Sequence, residues 1–321
     1  MREIREKRAS GKKMRCGVVA LVGRPNVGKS SLVNALLKEK VAVVSPKPQT
    51  TRNAVRCIYN DDRAQIVFTD TPGVHIPKDK LGKFLSDSVK DTLDDADAVC
   101  WLVEANDRKI GAEDREVLGV LAEVRCPVVL VVNKCDRLKP DSRRNLERVE
   151  ALYRAALPFA ERVALSAKSG QGVAGLIDLL APLLPEAEPW YDPDVLMDGT
   201  ERFMASEIVR GQVLSLLRDE VPHCVAVEIE EYKSPDEYPD RDKLYVRASL
   251  IVETEGQKAI LIGASGAMLK KIGQAARIDL EKATGHSAYL ELWVKVSPRW
   301  RQSDLILRRL GYSRPGRPLG A

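Results

Sequence analysis

The sequence GRPNVGKS at residues 23–30 has the spacing of a phosphate-binding loop, with a glycine at each end of the turn and a Lys–Ser pair after the second glycine. It follows an apolar strand-like run and precedes a helical pattern, so backbone N–H groups at a helix N-terminus converge on an anion. In such a loop Lys29 reaches the β- and γ-phosphates, and the Ser30 hydroxyl binds Mg²⁺. The sequence therefore predicts a nucleoside triphosphate site, and the other residues of its loop are Gly23, Arg24, Pro25, Asn26, Val27, Gly28 and Ser31.

Two more candidate magnesium ligands lie outside this loop. The motif DTPG, which begins at Asp70, ends a strand-like run, so its carboxylate can hold Mg²⁺ directly or through water. The amide of Gly73 in the same motif can sense the γ-phosphate. A threonine in the loop SPKPQTTRNAV, residues 45–55, is expected to bind the ion when the γ-phosphate is present. Both Thr50 and Thr51 fit, and only the family resemblance given below selects Thr51.

The base is indicated by the motif NKCD, which begins at Asn133 and ends another strand-like run. The Asp136 carboxylate there can accept two hydrogen bonds from the N1–H and the exocyclic amine of guanine. Adenine has neither donor in that place, and a mismatch of this kind is worth roughly 10⁴–10⁵ in discrimination. The motif SAK, which begins at Ser166, ends the next strand and offers backbone donors to the guanine carbonyl. These motifs predict GTP as the ligand, and they add Thr71, Pro72, Val74, Lys134, Cys135, Ala167 and Lys168 to the site.

Strand-like runs and helical patterns alternate along the first 185 residues and would position these motifs. The runs are continuous in Val, Leu and Ile, which indicates strands that are covered on both faces. Runs are found at 16–23, 64–70, 98–105, 127–134 and 162–167. Helical patterns are found at 29–38, 80–94, 111–124, 142–157 and 172–184. This order predicts an α/β fold with a doubly wound, mostly parallel sheet of six strands.

A second, smaller α+β domain is expected after residue 185. LPEAEPWYDPD, residues 184–194, contains three prolines and several acids, which is typical of a linker. Beyond it the sequence predicts a helix at 200–220, strands at 224–232, 243–252 and 257–262, a helix at 267–284 and a strand at 288–296. The chain is therefore divided into a basic N-terminal extension (1–14), a nucleotide-binding domain (15–185), a linker (186–199), a second domain (200–312) and a basic tail (313–321).

The second domain carries a charge reversal and a glycine loop. Residues 201–255 have 7 Lys/Arg against 13 Asp/Glu, a net charge of −6, whereas residues 256–321 have 12 against 4, a net charge of +8. A basic stretch of this size can neutralise several phosphates, so nucleic acid is a candidate partner. ILIGASGAMLKKIG, residues 260–273, resembles the GxxG loop of a type II KH domain, which clamps about four single-stranded nucleotides. The resemblance implies RNA contacts at Gly263, Ala264, Ser265, Gly266, Lys270, Lys271 and Arg277.

Two features of this domain qualify that expectation. Ala264 and Ser265 stand where many KH loops have a basic residue, so phosphate contact would depend on backbone N–H groups and on the basic helix that follows. Tyr289 and Trp293 lie in the last predicted strand. For both side chains core packing is expected rather than base stacking.

The composition excludes several classes of protein. Of 321 residues, 44% are hydrophobic and 30% are charged, and the net charge is +5, which is typical of a globular protein. Six cysteines without CxxC spacing and only three histidines argue against structural zinc. The apolar runs are far shorter than the 18 or more residues of a membrane span, and the basic N-terminus lacks the apolar segment of a secretory signal. A soluble cytoplasmic protein is therefore expected.

The combination of these motifs identifies a family. Residues 16–185 resemble the translation-factor-like small GTPases, and with the C-terminal KH arrangement the chain resembles the Era family of GTPases along nearly its full length. The resemblance implies slow hydrolysis of GTP to GDP, with Mg²⁺ held by Ser30, Thr51 and Asp70. It also implies binding to the 3′ end of 16S ribosomal RNA, a role in maturation and assembly of the small (30S) ribosomal subunit, and peripheral contact with the inner membrane. The protein is expected to be a monomer, and the basic extension could touch RNA or lipid head groups.

The residue after DTPG departs from the Ras pattern. Ras-like enzymes have a glutamine there that orients the attacking water, whereas Val74 has no polar group to offer. The water must then be positioned by backbone, by a bound cation or by a partner. Asn26 occupies the loop position that holds K⁺ in several GTPases with a hydrophobic residue here, so K⁺ is expected to stimulate hydrolysis. The catalytic set is then Lys29, Asn26, Thr51 and Gly73, and His75 is expected to be a loop residue rather than a base.

Two other hypotheses belong to different classes of protein. In one of them the second domain docks a protein partner, and the chain is a signalling GTPase that binds no RNA. Salt-dependent RNA binding separates that hypothesis from the first, because phosphate contacts weaken steeply with added salt. The other hypothesis, a metabolic P-loop kinase, is disfavoured by NKCD and by the lack of a lid for an acceptor substrate.

Overall fold

The computed structural model describes residues 14–45, 47, 50–74, 76–77, 79–138 and 143–312. The strands in these ranges are β1 Met14–Val22, β2 Val55–Asn60, β3 Ala64–Asp70, β4 Ala98–Glu104, β5 Val128–Asn133, β6 Glu161–Ala164, β7 Glu186–Ala187, β8 Met197–Asp198, β9 Ala226–Lys233, β10 Leu244–Val252 and β11 Ala288–Val296. The α-helices there are α1 Lys29–Leu37, α2 Lys80–Asp94, α3 Ala112–Leu121, α4 Arg143–Arg154, α5 Val173–Leu180, α6 Glu201–Leu216, α7 Glu255–Ile262, α8 Ala267–Thr284 and α9 Asp304–Arg309. Residues 1–13 of the basic extension, the basic tail at 313–321 and His75 lie outside the described residues.

The first sheet has the strand order β6-β5-β4-β1-β3-β2-β8, and β7 also pairs with β1. The pairs among β1, β3, β4, β5 and β6 are parallel, whereas β2, β7 and β8 pair in the antiparallel direction. The doubly wound, mostly parallel fold that the sequence predicts is confirmed, and the short strands β7 and β8 raise the number of strands from six to eight. The strand runs in the sequence did not locate β2, because VRCIYN mixes polar with apolar residues.

Hydrophobic layers cover both faces of this sheet. In β1, Leu21 packs with Leu32 and Phe68 on the face that α1 and α5 cover. Its neighbour Val22 packs on the opposite face with Trp101, against α2, α3 and α4. Successive side chains of a strand point to opposite faces, so a strand covered on both faces must be apolar throughout. The polar chemistry is thereby confined to the loops at the strand ends.

The segment 186–199, described as a linker from its sequence, is attached to the first sheet. β7 pairs with β1, and β8 pairs with β2. Between these strands the Tyr191 N–H donates to the buried Gln65 side chain at 3.0 Å. The chain therefore runs back across the first sheet before it enters the second unit.

The second sheet has the order β11-β10-β9, in which β10 is parallel to β11 and antiparallel to β9. Helices α6, α7 and α8 pack on one face, around a core that includes Val209, Leu250 and Ile272. At one end of the other face, Ile251 packs with Leu81 of α2, so the two sheets are joined through a helix of the first.

The strand predicted at 257–262 is wrong, because the structure has helix α7 there. A capping box starts the helix: the Thr254 hydroxyl accepts from the Gln257 N–H, and the Gln257 side chain accepts from the Thr254 N–H, both at 3.2 Å. The apolar run AILI therefore belongs to an amphipathic helix, whose Leu261 is buried. The order of the domain becomes helix–strand–strand–helix–helix–strand–helix, with α9 last.

The expectation that Tyr289 and Trp293 pack in the core is also wrong. Their side chains are 60% and 55% exposed. The alternate residues of β11, among them Leu290 and Leu292, contact the core instead. Helices α6, α7 and α8 cover one face of this sheet, and α2 packs at only one end of the other face, so every second residue of β11 faces outward.

Candidate nucleotide and nucleic-acid sites

A cleft of about 420 Å³ lies at the carboxyl edge of the first sheet. The loops that follow β1, β3, β5 and β6 meet there, because the carboxyl ends of parallel strands share one edge. The predicted site residues that line it are Pro25, Asn26, Gly28, Lys29, Ser30, Ser31, Thr50, Thr51, Gly73, Asn133, Lys134, Asp136, Ala167 and Lys168. Sequence reasoning missed four further lining residues, which are Val43, Val44, Ser45 and Arg137. Val43 and Val44 have no motif of their own, whereas Ser45 begins the loop at 45–55 and Arg137 directly follows NKCD, so their places in the sequence were an available signal.

The other predicted GTP-binding residues do not line the cleft, and these are Gly23, Arg24, Val27, Asp70, Thr71, Pro72, Val74, Cys135 and Ser166. Arg24 is turned away from the cleft, and its guanidinium donates to Asp107 at 2.9 Å and to Asp114 at 3.0 Å. It therefore ties the phosphate-binding loop to the start of α3 and the end of β4. Thr71 donates to the Leu21 carbonyl at 2.7 Å and holds the DTPG turn against β1.

Two glycines are required by the geometry of the cleft. Gly28 has φ 106°, and a Cβ there would lie 2.4 Å from the Asn133 Nδ2. A Cβ at Gly73 would lie 2.9 Å from the Cα of Pro25, so only glycine lets the DTPG turn come this close to the phosphate-binding loop. Helix α1 begins directly after Gly28, which directs its first N–H groups to the phosphate position.

Lys29 is held at the floor of the cleft. Its side chain is 6% exposed, and Nζ donates to the carbonyls of Gly23 at 3.0 Å and Arg24 at 3.3 Å. Burial lowers the pKa of Lys29 to about 8, although the nearby Asp70 carboxylate favours the charged form. These carbonyls are neutral acceptors and satisfy the Lys29 ammonium only in part. The oxygens of a bound triphosphate would be charged acceptors for it.

Three oxygen-bearing side chains converge on one point next to Lys29. Asp70 Oδ2 accepts from Ser30 at 2.6 Å and from Thr51 at 3.0 Å, and the two hydroxyls are 3.0 Å apart. Burial raises the pKa of Asp70, and its Oδ1 is buried without a hydrogen-bond partner among the described residues. Hard oxygen donors with an unsatisfied carboxylate fit Mg²⁺. Thr50 does not join them, because its hydroxyl donates to the Lys47 carbonyl at 2.6 Å.

Asn133 connects the loops that would surround the base. Its Nδ2 donates to the Val27 carbonyl at 2.9 Å, and its Oδ1 accepts from the Ala167 N–H at 3.0 Å. Lys134 adds a second tie by donating to the Asn26 carbonyl at 2.7 Å. Each motif therefore holds another motif in place, and the sequence contains no signal for these contacts beyond the motifs themselves.

Asp136 stands at the exposed end of the same region. One of its carboxylate oxygens accepts from the Ser166 hydroxyl at 2.6 Å, which lowers the pKa of Asp136 and keeps it ionised at neutral pH. This hydrogen bond orients the carboxylate as an acceptor, which suits the two donors of a guanine edge.

Val74 is 4% exposed and packs in the core with Val22 and Val89. Its N–H donates to the Gly23 carbonyl at 3.4 Å, so the DTPG turn is held against the phosphate-binding loop. The apolar side chain is thus used for packing and has no group that could orient a water.

The GxxG sequence forms a tight turn between α7 and α8. Gly263, Ser265 and Gly266 have φ of 73°, 48° and 78°, all in the left-handed region that favours glycine. Ala264 and Ser265 are exposed at the tip, and Lys270, Lys271 and Arg277 are exposed on α8. The turn can therefore present backbone N–H groups to phosphate, with cationic side chains beside it on one helix.

Comparisons with known proteins match both parts of the chain. The family described as 50S ribosome-binding GTPase matches residues 18–134, and the KH domain family matches residues 220–301. GTPase Era of Caldanaerobacter subterraneus subsp. tengcongensis is 46% identical over 93% of this chain and 98% of its own length. GTPase Era of Carboxydothermus hydrogenoformans is 44% identical over 92% of this chain and 97% of its own length.

Two solved structures share the fold over nearly the whole chain. One is Era in complex with MgGDPNP and nucleotides 1506–1542 of 16S ribosomal RNA, which has a TM-score of 0.88 and 38% identity over 94% of this chain and 99% of that one. The other is a variant of Aquifex aeolicus Era bound to GDP·AlF4⁻, with a TM-score of 0.86 and 38% identity over 94% of this chain and 100% of that one. The likeness therefore includes both sheets and the segment that joins them.

Replacement of Asp136 by Asn is expected to shift the base preference from guanine to xanthine. The amide would donate to the xanthine carbonyl, whereas guanine would lose two hydrogen bonds to a charged group, so GTP affinity should fall about 100-fold or more. Competition between GTP and xanthosine triphosphate measures the change, and Asp178→Asn, on an exposed face of α5, is the matched control. Unchanged GTP affinity in Asp136→Asn would exclude this residue as the base reader.

Replacement of Lys29 by Ala is expected to weaken GTP binding at least about 100-fold, because a charge-assisted contact to phosphate is lost, while the chain stays folded. The pKa of Lys29 is about 8 in the folded chain against an ordinary 10.5, so between these pH values the unfolded chain retains a proton that the folded chain has released. Stability of the nucleotide-free wild type should therefore rise with pH across this window, relative to the variant. Melting temperatures of both proteins from pH 7 to 10.5 measure it, and parallel curves would contradict the assignment.

Proposed function

This chain belongs to the Era family of GTPases, and we propose that it is a Mg·GTP switch that binds the 3′ end of 16S ribosomal RNA during maturation and assembly of the small ribosomal subunit. It hydrolyses GTP to GDP and phosphate, and Mg²⁺ is its cofactor. The observation that supports the proposal most strongly is the union, in one chain, of a guanine-nucleotide cleft and a KH domain. That union is shared over 94% of the chain with an Era that was solved with both ligands.

The proposed nucleotide chemistry follows from the contacts in the cleft. Lys29 and the first N–H groups of α1 hold the β- and γ-phosphates, and Asp136 reads the base. Ser30, Thr51 and Asp70 would hold Mg²⁺, which when bound neutralises charge that develops on the phosphate oxygens. The Gly73 amide contacts the γ-phosphate, so loops 45–55 and 70–80 are ordered by GTP and released by hydrolysis.

Part of the proposal is that K⁺, held at Asn26, takes the role that a glutamine side chain or an arginine finger plays elsewhere. Val74 is buried in the core and offers no polar group, which supports a source of charge outside the DTPG turn. Asn26 lies at the rim of the cleft with φ 61°, and the Lys134 ammonium donates to the Asn26 carbonyl.

Replacement of K⁺ by Na⁺ at equal ionic strength is expected to slow GTP hydrolysis at least about tenfold, less than the about 10³–10⁵ of an arginine finger. In Asn26→Ala the difference between the two ions should vanish. Phosphate release under single-turnover conditions measures both, and GDP affinity in each salt controls for binding. Equal wild-type rates in the two salts would remove K⁺ from the mechanism.

On the RNA side, we propose that residues 200–312 act as the RNA-binding domain through the turn at 263–266. The exposed Lys270, Lys271 and Arg277 on α8 provide the phosphate contacts that the Ala–Ser tip lacks. Residues 1–13 of the basic extension and the tail at 313–321 lie outside the described residues.

The location that fits an RNA partner of this kind is the cytoplasm, with the chain as a monomer. Among the described helices none is both long and apolar enough to cross a bilayer. Peripheral contact with the inner membrane is part of the proposal only because the family resemblance implies it.

RNA from the 3′ end of 16S ribosomal RNA is expected to bind more tightly than a scrambled RNA, and more tightly with a GTP analogue than with GDP. Affinity should fall steeply along a salt series, and a double replacement of Lys270 and Lys271 by Ala should reduce the salt slope by about two. Lys243→Ala, in the acidic part of the domain, is the matched control. Binding without selectivity or salt dependence would leave a GTPase whose second domain docks a protein.

A further inference from the structure

Arg52 is a buried arginine at the boundary between the two domains. Its side chain is 1% exposed, and its guanidinium donates to the Val225 carbonyl at 2.7 Å and to the His223 carbonyl at 2.8 Å. Both carbonyls belong to the turn that precedes β9 in the second domain. A guanidinium can satisfy two carbonyls at once because its donors form a rigid fork, which a lysine ammonium cannot reproduce.

The surroundings of Arg52 are also built by the second domain. The Trp300 ring centroid is 5.8 Å from the guanidinium carbon, and the Tyr312 hydroxyl accepts from Arg52 at 3.4 Å. The Trp300 indole donates to the Cys224 carbonyl at 2.9 Å, so three consecutive carbonyls of one turn are used by Arg52 and Trp300. These partners hold the two terminal nitrogens of the guanidinium, whereas its Nε is buried without a hydrogen-bond partner among the described residues.

Arg52 follows Thr51 directly in the chain. The Thr51 hydroxyl points the other way, to Asp70 at 3.0 Å, so the two side chains bind different domains from adjacent residues. Residues 50–52 are in neither helix nor strand. Slightly upstream, the Lys47 ammonium donates to the carbonyls of Leu214 and Leu217 at the end of α6. The second domain therefore contacts the loop that carries Thr51 at two points, Lys47 and Arg52.

We propose that Arg52 is a positioning residue, through which the second domain holds Thr51 within reach of Mg²⁺ and the γ-phosphate. The inference rests on the proposed role of Thr51 as a ligand of Mg·GTP. Since that hydroxyl is needed only when the γ-phosphate is present, the Arg52 contact strengthens GTP binding and hydrolysis and leaves GDP binding unchanged. By linkage, Mg·GTP strengthens the attachment of the second domain to this loop by the same factor.

The test uses the full chain with Arg52→Lys, which keeps the charge but loses the fork, and with Arg52→Gln. Dissociation constants for a non-hydrolysable GTP analogue and for GDP are measured over a series of Mg²⁺ concentrations. We expect about tenfold or greater weakening for the analogue, the loss typical of one hydrogen bond to a charged group. GDP affinity should change less than about twofold, the single-turnover hydrolysis rate should fall, and the variants should need more Mg²⁺ to bind the analogue.

Lys40→Gln is the matched control. It removes a different contact between the domains, the ion pair of the exposed Lys40 with Asp279, which involves neither loop 45–55 nor loop 70–80. This variant should bind both nucleotides as the wild type does. A selective loss of analogue binding in Lys40→Gln as well would mean that domain attachment in general, and not Arg52, positions the loop.

Two results with the Arg52 variants would overturn the inference. Equal weakening of GDP and analogue binding in the Arg52 variants would indicate a purely structural role, and unchanged affinities and rates would indicate none. Thr51→Ala, measured in parallel, distinguishes a wrong positioning role for Arg52 from a wrong assignment of the magnesium ligand. If Thr51→Ala leaves analogue binding intact, the assigned magnesium ligand is wrong; if it weakens analogue binding while the Arg52 variants do not, only the positioning role is wrong.

Discussion

The buried carboxylate of Asp70 is the constraint on which the nucleotide site depends. A carboxylate removed from water is costly unless its oxygens are paired, and here one oxygen accepts from Ser30 and Thr51 while the other has no partner among the described residues. Three separate parts of the chain therefore meet at this point: the first turn of α1, the loop before β2 and the end of β3. A divalent cation bound to these oxygens would stabilise the buried charge of Asp70. Binding of that cation is also the proposed function of the site.

The loops at the sheet edge hold one another in place, since each of them is irregular and would otherwise lose much conformational entropy on binding a ligand. Asn133 reaches the phosphate-binding loop and the SAK loop with one side chain. Arg24 ties that loop to α3, and Thr71 ties the DTPG turn to β1. These contacts fix the shape of the cleft, and Gly28 and Gly73 allow backbone approaches that a Cβ would prevent.

The second domain contacts the loop of the first domain that carries Thr51, the proposed magnesium ligand. Val225 and His223 take the donors of Arg52, and Leu81 of α2 packs on the outer face of the second sheet. Both elements are next to motifs that contact phosphate or Mg²⁺ in the proposed mechanism. A domain that would bind RNA through α8 and that contacts Arg52 through the turn before β9 can respond to the nucleotide without any contact with the nucleotide itself.

What the sequence determined by itself is the chemistry and the fold class. Short motifs such as GRPNVGKS and NKCD predict their ligand because each depends on residues within one turn, and continuous Val/Leu/Ile runs predict a covered parallel sheet for the same local reason. The contact of Thr51, rather than Thr50, with Asp70, the outward position of Trp293 and the burial of Arg52 became visible only in the tertiary structure. The carbonyl that Arg52 contacts is 173 residues away along the chain, and a backbone carbonyl has the same chemistry at every position. Local patterns identify the groups that react, and long-range packing decides which neighbouring group reaches them.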